Sequence, residues 1–267
     1  MSVPIRSYTI GILFLVVLLS LSAPALAKGE TSIGIDTRDG VQQRFLIWAP
    51  KAPKAVAILF TGKHGNIDLS GTSIRWGSKG ILVHSRKLFV KNNIVAVLVD
   101  SPSDKKGANG MYENRFRSSS EHVVDIGQVI AYLRQQYDLP IWLVGMSRGT
   151  ESVANIAINS KEEVDGIVLM SSIYRSKKGT PVVDFELETI DVPVMLIAHK
   201  KDICQGTPPE GAKIIAGRLT NSKKVQEKYF SGGNRPSGRD CGGTAAHGFP
   251  GLEKKVIAAI AEFIAQN

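Results

Sequence analysis

Five stretches of this chain are apolar almost without interruption: Ala55 to Phe60, Ile94 to Val99, Ile141 to Val144, Gly166 to Met170 and Val192 to Ala198. Each is short and rich in Val, Ile and Leu. Runs of that length without polar alternation belong to strands covered on both faces, as in a parallel sheet. Upstream, Ser32 to Asp36 and Arg44 to Trp48 flank the turn Arg38-Asp39-Gly40, which predicts an antiparallel pair at the start of the sheet. Val225 to Phe230 is the final predicted strand.

Between most of these strands the apolar period lengthens to that of a helix. Val123, Ile126, Ile130 and Leu133 recur at three- and four-residue spacing behind Ser118 and Glu121, a capping-box pair, so a helix is predicted from there to about Tyr137. Further helices are predicted over Ile81 to Lys91, after Ser147, and over Leu252 to Ala265, with Val256, Ile260, Phe263 and Ile264 on the inner face. Parallel strands need such crossovers. The predicted class is therefore α/β, a doubly wound, mostly parallel β-sheet with an antiparallel N-terminal edge. The span between Met170 and Val192 is short, which leaves room for a small lid or none.

The N-terminus follows a different pattern. Arg6, an apolar stretch from Ile10 to Leu21 and the small-residue site Ala25-Leu26-Ala27 read as a secretory signal peptide over residues 1–27. The apolar core is shorter than the roughly 20 residues of a spanning helix; an uncleaved anchor is the alternative. Cleavage would leave residues 28–267 as one α/β domain, exported to a periplasm or medium, with no later segment suited to cross a bilayer. An oxidising compartment favours pairing the chain's two cysteines, Cys204 and Cys241, the alternative being two buried thiols. No H-E-x-x-H and no paired C-x-x-C occurs, so neither a metal nor an organic cofactor is expected.

Thirty-three Lys and Arg against 24 Asp and Glu give a net charge of +9, or +8 once Arg6 is removed. Such an excess suits an anionic envelope surface or an acidic substrate. The basic residues are scattered in pairs such as Lys105-Lys106, Lys177-Lys178 and Lys223-Lys224 without interleaved aromatics, which argues against nucleic acid as a partner.

Candidate chemistry centres on Gly145-Met146-Ser147-Arg148-Gly149, a G-x-S-x-G sequence at the junction of a predicted strand and a predicted helix. Small residues on both sides of the serine permit a tight bend that leaves Ser147 exposed at its apex. A serine hydroxyl needs a base to take its proton. Of five histidines, His247 in Ala245-Ala246-His247-Gly248-Phe249 follows the last predicted strand, where a loop can return it to the C-terminal edge of the sheet. Asp202, four residues beyond the strand ending at Ala198, is the candidate carboxylate that orients the imidazole, with Asp184 and Asp191 as fallbacks. Pairing Cys204 with Cys241 would tie the acid loop to the histidine loop. Donors to a developing oxyanion are the Arg148 amide and either Gly62 or Lys63 in the loop Thr61-Gly62-Lys63-His64-Gly65-Asn66. Asp100-Ser101-Pro102 and Tyr112 to Arg117 are placed near the same edge, with Arg115 and Arg117 as candidate substrate-binding cations, against the alternative of solvated loop residues; His122 and Asp125 read as structural.

With G-M-S-R-G, then Asp202, then A-H-G-F on this succession of strands, the chain resembles the α/β-hydrolase superfamily over nearly all of residues 28–267, in the manner of dienelactone hydrolases and esterases without a large cap. The resemblance implies the α/β-hydrolase fold and a Ser-His-Asp mechanism with an acyl-enzyme intermediate on a small-molecule acyl substrate, carried by Ser147, His247, Asp202 and the Arg148 amide. Two features depart from it: T-G-K-H-G is not the H-G-G-G loop of many lipases, and no cap domain is visible. The expected activity is hydrolysis of an ester, thioester or amide of a small acyl group. A peptidase, and a non-catalytic protein of this fold binding an anionic envelope ligand, are the alternatives.

Overall fold

Alternation inside each apolar run divides its side chains between two cores. Val56, Ile58 and Phe60 of one strand enter the first core, while Ala55, Ala57 and Leu59 of the same strand enter the second. A strand buried on both faces has no position for a polar residue, which is why these runs are continuous. The computed structural model describes residues 29–77 and 79–267; the predicted signal segment lies outside them.

The chain opens with β1 (Gly29–Arg38) and β2 (Val41–Ala49), antiparallel with Ile33 opposite Phe45. Next come β3 (Ala55–Phe60), the small hairpin β4 (Leu69–Ser70) and β5 (Ser73–Ile74), α1 (Ile81–His84), α2 (Arg86–Lys91) and β6 (Ile94–Val99). The middle contains α3 (Ser120–Gln136), β7 (Ile141–Met146), α4 (Gly149–Asn159) and β8 (Gly166–Met170). β9 (Val194–His199), α5 (Glu210–Arg218), β10 (Val225–Phe230) and α6 (Glu253–Ala265) complete the chain. The main sheet has eight strands in the order β1-β2-β6-β3-β7-β8-β9-β10. β2 is antiparallel to both its neighbours, and every pair from β6 to β10 is parallel. Helices α3, α4 and α5 cover one face, and α1, α2 and α6 the other, where Trp142 meets Phe263 edge-on at 5.6 Å.

Several boundaries differ from the sequence expectation. The helix predicted over Ile81 to Lys91 breaks at Ser85, where Arg86 donates to the Val83 carbonyl at 2.6 Å and satisfies the end of α1. The cap of α3 is Ser119, not Ser118. The segment before it is wound into 3-10 turns on either side of a kink at Glu113 to Arg115, and Ser119 is extended where the helix begins, so its hydroxyl takes the His122 N–H at 3.3 Å. β9 starts at Val194 rather than Val192, because Pro193 has no N–H to give a ladder. Between β8 and β9 lie two short 3-10 turns, Val182–Asp184 and Leu187–Thr189, and no strand or longer helix.

Candidate active site

The turn from β7 into α4 shows why glycine stands on both sides of Ser147. A Cβ at Gly145 would sit 2.6 Å from the Gly149 carbonyl oxygen, and one at Gly149 would overlap the carbonyl of Phe60 on the neighbouring β3. Ser147 itself has φ 54°, in the left-handed region that side chains disfavour. Three bonds hold it there: its N–H donates to Met170 O at 2.8 Å, and its carbonyl accepts the Thr150 hydroxyl at 2.6 Å and the Thr150 N–H at 2.9 Å. Arg148, the next residue, opens α4, so its amide lies at a helix N-terminus.

β9 delivers Asp202 to the same end of the sheet. The carboxylate is buried and fully engaged: Oδ1 accepts the Cys204 N–H at 2.9 Å, and Oδ2 accepts the Thr207 hydroxyl and His247 Nδ1, each at 2.9 Å. His247 sits in a short 3-10 turn, Ala246–Gly248, whose carbonyl at His247 takes the Ser171 hydroxyl at 3.1 Å. The Thr207 hydroxyl also lies 2.9 Å from His247 Nδ1, so it bridges Asp202 and His247. Sequence reasoning missed Thr207, and a lone Thr in a loop carries no signal that would have found it. The fallback acids Asp184 and Asp191 are exposed and elsewhere. A disulfide joins Cys204 to Cys241 across a sequence separation of 37, with Cα atoms 4.8 Å apart, and so fastens the acid loop to the segment leading to His247.

Ser147 and His247 line one cavity of about 360 Å³, together with Met146, Ile67, Ile81 and Leu82 and with the exposed Trp76 beside them. No hydrogen bond joins the Ser147 hydroxyl to the imidazole, a contact that often closes only around substrate. Gly62 packs against the serine: a Cβ there would meet Ser147 Cβ at 3.1 Å and Met146 O at 3.2 Å. Among the described residues, no protein acceptor takes the N–H of Gly62, Lys63 or Arg148. His64 lines the same cavity, but its Nδ1 accepts the Asn66 N–H at 3.1 Å, and burial with neighbouring Lys63 and Arg117 lowers its proton affinity.

Arg115 and Arg117 do not behave as paired substrate cations. Arg115 is exposed and lines neither cavity at Ser147. Arg117 is buried behind the loop after β3, donating to Thr61 O at 2.8 Å and to the Ser152 hydroxyl at 2.7 Å; burial pushes its guanidinium down to about 10. Asp100 is structural as well, accepting the N–H groups of Ile67 and Leu69 at 2.8 Å each and pairing with Lys106. Asp202, Cys204 and His247 place ligand-type atoms within 4.8 Å of one another. The sulfur is committed to a disulfide and Oδ2 to the imidazole, so these are not three available ligands.

No protein-family profile and no curated protein sequence matches the chain. Solved structures do. A thermostable carboxyl esterase from Bacillus coagulans superposes with a TM-score of 0.63 at 14% identity, covering 89% of this chain and 98% of that one. The chain has the α/β-hydrolase fold. Dienelactone hydrolase from Anabaena variabilis matches with a TM-score of 0.63 at 12% identity over 89% of this chain and 97% of that one. A cold-adapted esterase from an Arctic intertidal metagenomic library gives 0.59 at 13% identity over 88% and 93%. In this α/β-hydrolase fold, no described helix is long and apolar enough to cross a membrane.

Proposed function

We propose that this protein is an exported serine hydrolase that cleaves a small carboxylic ester, thioester or amide, with Ser147 as nucleophile, His247 as base and Asp202 as its orienting acid. The observation that carries the reading is the 2.9 Å contact from His247 Nδ1 to Asp202 Oδ2, with the imidazole and Ser147 lining one cavity. With Nδ1–H committed to the carboxylate, Nε2 is the nitrogen left to accept a proton. Ser147 Oγ attacks the acyl carbon as its proton passes to Nε2. The amides of Arg148 and of the Gly62-Lys63 segment then receive the oxyanion, each donor of this type being worth about 3 kcal/mol. Collapse breaks the bond to the leaving group, which takes the proton from His247, and an acyl-serine remains. Water repeats the sequence and releases the acid. Esterases among the structural neighbours favour an ester; the Cys204–Cys241 bridge supports an oxidising destination.

Treating residues 28–267 with a fluorophosphonate probe tests the reading. Labelling at Ser147 by mass spectrometry, abolished in Ser147→Ala and His247→Ala, is expected. A folded protein that stays unlabelled would overturn it.

A further inference from the structure

Ser147 lines two cavities. The second, of about 250 Å³, shares Lys63 and Cys241 with the first, and its lining includes Lys63, Arg148, Arg175, Lys177 and Lys178 and no carboxylate. Arg148 is neutralised, because its guanidinium pairs with buried Glu151. Among the described residues, no carboxylate lies within ion-pair distance of the other four. The backbone that presents Arg175, Lys177 and Lys178 is constrained. The Ser176 hydroxyl takes the N–H groups of Lys178 and Gly179 at 3.1 and 3.0 Å, and Gly206 O takes those of Tyr174 and Arg175 at 2.8 and 3.2 Å. The Tyr112 ring has the guanidinium of Arg148 5.0 Å and the ammonium of Lys178 5.9 Å from its centre.

All four are exposed, and exposed cations without a carboxylate partner around a concavity concentrate a positive field that draws an anion. The leaving group has to face His247, whose side chain lines the apolar cavity. The acyl group is then left the second cavity, which Ser147 lines and His247 does not. We propose that the substrate's acyl group ends in an anion, a carboxylate or a phosphate, received by Lys63, Arg175, Lys177 and Lys178. This rests on the hydrolase reading and specifies its substrate class.

The test compares 4-nitrophenyl hydrogen glutarate with 4-nitrophenyl pentanoate, of matched acyl length. The kcat/KM ratio is expected to favour the anionic ester by at least tenfold. It should collapse towards one in Arg175→Glu and Lys178→Glu and be retained in Lys254→Glu, the same charge change on α6. A ratio near one, or one lowered equally by Lys254→Glu, overturns the subsite while leaving the hydrolase reading intact. If neither ester is cleaved and the fluorophosphonate does not react, that reading fails. Calorimetric titration with glutarate and inorganic phosphate then decides the subsite: binding lost in Arg175→Glu upholds it, and absence of binding of either overturns it. The tighter of the two anions identifies the carboxylate or phosphate source.

Discussion

Gly62 and Thr207 bear on chemistry without supplying a reacting atom. A methyl at Gly62 would press on Ser147 Cβ at 3.1 Å, closer than nonbonded carbons settle, so either the loop or the serine must move. Gly62→Ala is expected to lower kcat about 10- to 100-fold with the fold retained, measured by ester turnover beside circular dichroism. Thr207→Val removes the hydroxyl shared by Asp202 and His247 while keeping its volume. A net loss of about 1.4 kcal/mol, near the upper end of what one intramolecular hydrogen bond contributes, corresponds to a tenfold fall in kcat. Thr207→Ser should restore most of it, and KM should change little. Ser147, Asp202 and His247 were legible as candidates because glycine spacing and strand order restrict where such residues can stand. Thr207 was not, because its value comes from two partners 5 and 40 residues away.

The docking of α3 against α4 and the loop after β3 shows what an element adds. Its His122 ring lies 6.3 Å from Phe60 and 5.3 Å from Phe116, with Nε2 on the Ser152 hydroxyl at 2.9 Å, and the same hydroxyl receives Arg117. Burial, with Arg117 and Arg38 nearby, lowers the imidazole to about 3. In the unfolded chain a histidine titrates near 6.5. Between those two values the unfolded state binds a proton that the folded state refuses, so stability falls as pH drops through that window. The slope from this group approaches about 1.4 kcal/mol per pH unit, and its contribution is fully present above pH 6.5. Urea unfolding at pH 7 and pH 5 should show this loss in the native chain and a smaller one in His122→Gln. The helix and its apolar face followed from periodicity. That Arg117 would be buried did not, since loop cations usually stay in water and only packing against Thr61 and Ser152 reverses that preference.

Across the whole molecule, the disulfide constrains distant segments and the charge has a location. Closing a separation of 37 residues corresponds to about 3 to 4 kcal/mol in a chain-entropy account. Reduction with dithiothreitol, or Cys204→Ser, is expected to lower the melting temperature by roughly 10 °C and to reduce turnover, because the acid loop loses its tie to the histidine segment. Thermal melts with and without reductant would check it; equal melting of the two forms would remove the bridge from the stability argument. The net charge of +9 is not uniform in consequence. Lys105 and Lys106 have carboxylate partners and Lys224 lies over Phe263, whereas Lys177 and Lys178 open onto the cavity beside Ser147.

Hydrophobic order along the chain determined the class of fold and the strand sequence, and with the glycine spacing it singled out Ser147, His247 and Asp202 as candidates for nucleophile, base and acid. These are local or additive properties: a strand between two cores must be apolar throughout, and a sharp bend between strand and helix must have small neighbours. Tertiary structure alone decided that Gly62 abuts Ser147, that Thr207 bridges Asp202 and His247, that Arg117 is buried, and that Lys63 shares a cavity with Arg175, Lys177 and Lys178. Each depends on distances between segments that the chain order leaves free, set when two cores close on one sheet.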